Sequence, residues 1–203
     1  MERDRIKNLM NIYADDFERA LKLEGPFKDE GRLMLQRTEK IIAFLALLDG
    51  KRLLDVGCGP GVVALKIDKE LGLEVHAVDF SEKQVEKARK LVEREKARVK
   101  IFQEDILVTS PNSGLRYGDY DIVLCKDVVA AYSREGKREI IEGLVKYVKP
   151  QGHLVMSVLS KEEDGGVYGE SAATYRELIK EVTGKEPYIK RLDEEALLLY
   201  VRM

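Results

Sequence analysis

The stretch Leu53-Leu54-Asp55-Val56-Gly57-Cys58-Gly59-Pro60-Gly61 decides how this chain is read. Arg52 to Val56 is a short apolar run that predicts a buried strand, and Val62 to Leu71 has the apolar spacing of a helix. Between them lies a turn with glycine at alternate positions. Glycine there permits positive φ and removes the Cβ that would hold a ligand off the backbone. The helix that follows directs its free N–H groups at the turn. Asp79, 18 residues beyond Gly61, ends the next expected strand, Glu74 to Val78. When helices flank a parallel sheet, ligands sit beyond the carboxyl ends of the strands. Turn and carboxylate therefore belong to one site, and an acidic side chain placed there accepts both hydroxyls of a ribose. The spacing is G-x-G-x-G. Val62 stands where the dinucleotide motif has its third glycine, which weakens a nicotinamide or flavin reading.

Outward from this motif the period alternates between strand and helix. Downstream, Ser81 caps a helix with Gln84 as its capping-box partner, and Val85, Ala88, Leu91 and Val92 form the buried stripe. Arg98 to Phe102 is the third strand. Asp121 to Cys125 is the fourth, continuously apolar as a strand covered on both faces should be. Ile140, Ile141, Leu144, Val145 and Val148 mark a helix, Lys149-Pro150-Gln151-Gly152 a type I turn, and His153 to Leu159 the fifth strand. A helix near Ser171 to Thr183 precedes two strands, Glu186 to Arg191 and Glu195 to Arg202. Only Leu192 to Glu194 separate these two, too few residues for a parallel crossover, so they must pair antiparallel. Upstream, Ile6, Met10, Tyr13, Phe17 and Leu21 fall on one face of a single helix, broken at Gly25-Pro26. A second helix runs from about Arg32 to Leu48 and closes at Asp49-Gly50. The expectation is an α/β fold of three layers: a mostly parallel seven-stranded sheet, with one antiparallel strand near its end, between two layers of helices. Residues 1–50 form a helical cap and 51–203 the sheet domain, together one compact unit.

Composition narrows the function. A chain of 203 residues is about one domain. With 44% hydrophobic residues disorder is excluded, and a net charge of −2 supplies no global field for nucleic acid or anionic lipid. The longest apolar run, Ile41 to Leu48, is too short to cross a membrane, and the amino-terminal Met1-Glu2-Arg3-Asp4-Arg5 lacks the apolar core of a signal peptide. Two cysteines are no disulfide scaffold, so a cytoplasmic protein is expected. Asn occurs three times and Gln four times beside abundant Lys and Glu, a bias expected of a thermophilic source.

The chain resembles the class I S-adenosylmethionine-dependent methyltransferases, a Rossmann-like family with a reversed seventh strand, from about Lys51 to Met203. Asp55, Gly57, Cys58, Gly59 and Gly61 match its first motif, which wraps the methionine part of the cofactor. Asp79 matches the residue that holds the ribose, and Phe80 the neighbour often found beside the adenine. Gln103-Glu104-Asp105-Ile106 looks like the segment after strand three, where Asp105 would accept the adenine amino group and Ile106 would pack on the ring. Asp121 to Asp127 looks like the motif bordering the methyl group. Val148 to His153 looks like the turn before strand five, often K-P-G-G, with Gln151 in place of one glycine. The resemblance implies S-adenosylmethionine as cofactor and in-line transfer of its methyl to a nucleophile, where most catalysis comes from positioning.

Each further candidate has a plainer alternative. Asp127, after strand four, is the candidate catalytic residue on the substrate side, or a helix-capping or surface carboxylate. Lys126 contributes backbone only, or a charge partner for Asp127. Tyr132 lines the acceptor pocket or packs. Tyr13 lies on the apolar stripe, where core packing competes with ligand contact. Arg32 pairs with a cofactor carboxylate or is solvated. Gly165, Gly166 and Gly169 around Tyr168 form a loop that closes over an acceptor or is merely surface. Cys58 and Cys125 are expected as reduced packing thiols, and His76 and His153 have no metal-ligand spacing.

The acceptor is expected to be a small molecule. The segment Lys126-Asp127-Val128-Val129 lacks the proline pair of enzymes that methylate amino groups of nucleic-acid bases. Neither cysteine fits the attacking thiol of a pyrimidine-C5 methylase. A protein or RNA methyltransferase, and a cofactor-binding regulatory subunit without turnover, remain the alternatives. The oligomeric state is not legible.

Overall fold

The computed structural model describes residues 2–108, 113–160 and 169–203. Strands β1 (Arg52–Val56), β2 (Glu74–Asp79), β3 (Lys100–Gln103), β4 (Tyr120–Lys126), β5 (Val148–Leu159), β6 (Tyr188–Arg191) and β7 (Ala196–Arg202) form one sheet in the order β3-β2-β1-β4-β5-β7-β6. β1 to β5 pair parallel, and β7 runs antiparallel to both β5 and β6. The reversed strand follows from chain length: four residues between β6 and β7 allow a hairpin and no crossover. Strand order reverses beside β1, where chain connections leave in opposite directions and open a crevice above the strand ends.

Helices α1 (Glu2–Ile12), α2 (Ala14–Leu21), α3 (Lys28–Leu45), α4 (Val62–Leu71), α5 (Glu82–Arg94), α6 (Arg134–Tyr147) and α7 (Ala172–Thr183) make the outer layers, with a short 3-10 turn at Val129–Ala131. Two cores lie on the two faces of the sheet. Leu54, Val123, Leu154 and Leu199 pack with Ile141, Leu144 and Leu178 of α6 and α7. Leu53, Ile122, Val155 and Leu198 pack with Ile41, Leu45 and Ile67 of α3 and α4. Neighbouring residues of one strand thus enter opposite cores, which is why β4 and β7 read as unbroken apolar runs. On the α6–α7 side, Lys137 is fully buried and donates to Glu170 at 2.8 Å.

Three expectations need correction. The amino-terminal stripe is not one helix: Tyr13, at φ −89° and ψ 6°, separates α1 from α2, although Tyr13 N still donates to Leu9 O and Phe17 N to Tyr13 O. α1 packs on α5, whereas α2 packs on α3 so tightly that a Cβ on Gly31 would fall 1.8 Å from Ala20 O. A straight helix cannot serve both seats. The second helix runs Lys28–Leu45, starting four residues and ending three residues before the expected Arg32 to Leu48. The third is the turn at Lys149 to Gly152, which lies inside β5 as an irregularity: the pairing of β4 and β5 shifts between Tyr120 and Ile122. Gln151 carries the left-handed backbone there, at φ 65°. Gly152 is needed for space, since a Cβ would meet Asp121 O at 2.9 Å.

No helix of the described residues is long and apolar enough to cross a membrane.

Candidate functional site

The carboxyl ends of β1, β2 and β4 open into a cavity of about 260 Å³. Its floor starts at the glycine turn, where Gly57, Gly59 and Gly61 all have positive φ, at 71°, 53° and 82°. Each glycine answers a different demand. A Cβ on Gly57 would strike Val128 Cγ2 at 2.2 Å. On Gly59 it would project into the cavity, 3.6 Å from Phe17 Cε1 and 4.0 Å from Gln84 Oε1. Gly61 is outside the cavity wall; it caps α4 and lets that helix approach Ala88 of α5, 3.1 Å from where its Cβ would stand.

Asp79 ties β2 to this turn. Its Oδ2 accepts from Gly59 N and its Oδ1 from Ser81 N, both at 2.9 Å. Burial pushes the Asp79 carboxyl up, and the amide bonds oppose that shift. The Ser81 amide is thereby taken, so the capping box closes on one side only. Ser81 Oγ accepts from Gln84 N at 3.3 Å, while buried Gln84 Oε1 has no hydrogen-bond partner among the described residues. Gln84 lines the cavity, a role that its capping position concealed.

Asp55 is buried at the end of β1, and its Oδ2 also has no hydrogen-bond partner among the described residues. Burial pushes its carboxyl up to about 7, with the Lys126 ammonium pulling down and the Asp79 carboxylate pushing further up. Cys58 and Cys125 are free and buried, and burial raises both thiols, so neither is a ready nucleophile.

At the end of β4, Lys126 and Asp127 both line the cavity and pair with each other. Asp127 Oδ1 accepts from Ser157 Oγ at 2.7 Å, and its backbone is left-handed at φ 58°. Lys126 thus supplies a buried charge, not backbone alone. Beyond it, Tyr132 is buried yet lines the cavity, and burial pushes its phenol up.

After β3, Asp105 Oδ2 accepts from Arg3 Nη1 at 3.1 Å and its Oδ1 from Leu107 N at 2.9 Å. Phe80, Glu104, Asp105 and Ile106 all border the cavity. The roof is the amino-terminal stripe. Ile6, Met10, Phe17 and Leu21 line it with Met34 and Thr38 of α3. Tyr13 stands on the rim, 52% exposed, so it is wall and not core. The roof is clipped down by Arg3 to Asp105, by Ser81 Oγ donating to Asn11 Oδ1 at 2.7 Å, by Ser133 N donating to Glu2 Oε1 at 2.8 Å, and by Lys87 pairing with Asp15 and Glu18.

Other candidates fall away from the cavity. Arg32 is exposed and pairs with Asp29. His76 meets Tyr120 at 2.9 Å, and His153 meets Asp49 and Tyr200, all inside the fold's own network. Among the described residues no group of three or more side chains could hold a metal. Gly165, Gly166 and Tyr168 lie outside the described residues.

A family model described as a methyltransferase domain matches residues 47–197. The ubiquinone biosynthesis O-methyltransferase of Pectobacterium carotovorum is 27% identical over 178 residues, covering 88% of this chain and 71% of that protein. An S-adenosyl-L-methionine-dependent Diels-Alderase of Neonectria is 28% identical over 179 residues, 82% of this chain and 66% of its own length. Among solved structures, magnesium protoporphyrin IX methyltransferase from Synechocystis, with bound SAM, superposes with a TM-score of 0.79 at 21% identity over 100% of this chain and 98% of that one. The family match runs from just after α3 into β7 and contains both the glycine turn and Asp79, so the chain belongs to the methyltransferase-domain family, within the class I S-adenosylmethionine-dependent methyltransferases.

Proposed function

We propose that the cavity binds S-adenosylmethionine and that the protein transfers the cofactor's methyl group to a small-molecule acceptor. The observation that carries this reading is the Gly59–Asp79 hydrogen bond, which makes the glycine turn and the acidic end of β2 one binding surface. The residues fit the group. Each Asp79 oxygen accepts one backbone N–H, leaving lone pairs for two vicinal hydroxyls. Asp55 Oδ2 is a buried acceptor without a partner, suited to a cationic group above the turn. In this reading Gly57, Cys58, Gly59 and Gly61 shape the methionine side, Phe80 and Ile106 pack on the adenine, and Asp105 accepts its amino group.

When bound, the cofactor supplies a methyl group activated by a sulfonium. The chain's own part is to exclude water with the α1–α2 roof and to hold the acceptor at the end of β4, where Asp127 faces it. Residues 1–50 act as the cap and 51–203 as the cofactor domain. A cytoplasmic setting and a thermophilic source, read from cysteine usage and residue bias, belong to the same proposal. The O-methyltransferase name of the Pectobacterium relative supports a small-molecule acceptor.

Calorimetric titration with S-adenosylhomocysteine tests the reading, with Asp79→Ala as control. Micromolar binding lost in the variant is the expected result; no binding to the folded wild type overturns it. Transfer of labelled methyl to a metabolite pool then separates the alternatives. Label on protein or RNA favours a macromolecular acceptor. Binding without any transfer favours the second reading, a cofactor-binding protein with other chemistry, which the Diels-Alderase description of the Neonectria relative supports.

A further inference from the structure

We propose that the acceptor is a phenol or enol on a flat apolar body, and that Lys126 and Asp127 recognise its hydroxyl oxygen together. The inference rests on the methyl-transfer reading above. It starts from a charge pair at the cavity end of β4. The Lys126 side chain is 7% exposed and that of Asp127 20%, yet both line the cavity. Asp127 is fixed from behind by Ser157, whose hydroxyl donates to Oδ1 at 2.7 Å and whose carbonyl accepts the Asp127 amide at 3.0 Å. That grip holds a residue other than glycine at φ 58°, the kind of backbone strain that collects at functional sites.

The pair selects by lone-pair count. An ammonium only donates and an ionised carboxylate only accepts. A group that contacts both must accept from a free Lys126 N–H, donate to Asp127, and keep one electron pair for attack. A hydroxyl oxygen has one proton and two lone pairs and meets all three conditions. A neutral amine has one lone pair, which Lys126 would occupy. A thiol hydrogen-bonds too weakly to compete.

Acidity and shape narrow the class further. A carboxylate is a poor base for an aliphatic alcohol but a sufficient one for a phenol or enol whose oxyanion is stabilised by an adjacent ammonium. The wall nearest the pair is largely apolar: Val128, Ala131 and the Tyr132 ring follow Asp127, and Phe17, Leu21 and Met34 lie on the roof. In the step, the acceptor O–H breaks and its proton passes to Asp127 Oδ2. The oxygen forms its bond to the methyl carbon, and the carbon–sulfur bond breaks with its electron pair left on sulfur as a neutral thioether. Lys126 donates to the acceptor oxygen throughout.

The test uses the full chain saturated with S-adenosylhomocysteine and matched probes: 4-nitrophenol against 4-nitroaniline, and 1-naphthol against 1-naphthylamine. The expected result is tenfold or more tighter binding of the phenol in a pair, and a bound nitrophenol whose absorption shows its pKa lowered by about one unit by the nearby cation. Lys126→Met is expected to abolish that spectral shift. Equal binding of phenols and anilines by the wild type, or an unchanged nitrophenol pKa, overturns the inference while leaving the cofactor reading standing. Failure to bind S-adenosylhomocysteine overturns both. The wild-type comparison decides the matter even where the variant does not fold.

Discussion

Asp79 Oδ2 accepts the Gly59 amide proton at 2.9 Å, so the acidic end of β2 and the middle of the glycine turn are one hydrogen-bonded unit. Removing the carboxylate therefore does two things at once. Asp79→Ala is expected to weaken S-adenosylhomocysteine binding at least about tenfold, since a hydrogen bond to a charged group contributes about 1.5–3 kcal/mol. It should also lower Tm, because Gly59 and Ser81 lose their acceptor. Titration calorimetry and thermal melts of the same sample check both halves.

Asp55 gives the protein a pH signature. Its folded carboxyl keeps a proton to about pH 7, against the ordinary 3.8 of an exposed aspartate. Between those values the folded state binds more protons than the unfolded state. Stability from this group is therefore highest on the acid side of the window, falls as pH rises through it, and levels off above about 7. The difference in Tm between wild type and Asp55→Asn should grow across the window, reaching a few degrees in favour of the variant, an effect of ~1 kcal/mol or more. Parallel melting curves from pH 4 to 8 would refute the assignment. S-adenosylhomocysteine, whose ammonium favours the ionised carboxylate, should bind wild type more tightly as pH rises toward 7.

Gly31 permits backbone contact between α2 and α3. Gly31→Ala forces the helices apart, an overpacking cost of typically 1–3 kcal/mol. Since Phe17, Leu21, Met34 and Thr38 on these helices roof the cavity, ligand affinity should drop with stability. Hydrogen exchange of residues 2–45 is expected to rise while the β1–β4–β5 core stays protected.

Gln151 occupies left-handed backbone at φ 65° without the freedom of glycine. Gln151→Gly relieves strain of order 1–3 kcal/mol and gives back up to about 1 kcal/mol in unfolded-state entropy. A net gain in Tm with unchanged ligand affinity is the expected outcome of a melt and a titration.

Lys137 and Glu170 illustrate why a buried pair is costly to halve. Lys137→Met strands Glu170 and should destabilise by about 3–5 kcal/mol. Adding Glu170→Leu should recover most of that loss in denaturant titrations.

What could be read from residues alone follows a physical division. The strands around Asp55 and Asp79, the reversed β7 and the α4 boundaries were legible, because buried strands are apolar runs and glycine punctuates them. The kink at Tyr13 was not, since Ile6, Met10, Tyr13, Phe17 and Leu21 keep helical spacing straight through it. Their apolar stripe signalled burial without saying whether it faced a core or a cavity. Gln151 looked like a harmless exchange in a turn because backbone sign is invisible in a one-letter string. Gln84 was missed as a cavity residue, and Lys126 was read as backbone or as a partner for Asp127 and not as cavity wall, for a shared reason. Each had a sufficient local role, as strand end or cap partner, and only tertiary packing turned its polar end inward.

The clips that hold the roof join residues far apart in the chain: Ser81 to Asn11 across 70 positions, Arg3 to Asp105 across 102, and Ser133 to Glu2 across 131. During synthesis α2 meets α3 early, but α1 and the cavity face of α2 emerge long before the surfaces that clip them down exist. Their apolar stripe must wait, uncovered, until α5 and the start of α6 have left the ribosome. Non-local contacts of this kind form late in folding, so α1 is made before α5 and α6 yet completed after them. The nascent chain is most prone to aggregate through Ile6, Met10 and Phe17 in that interval.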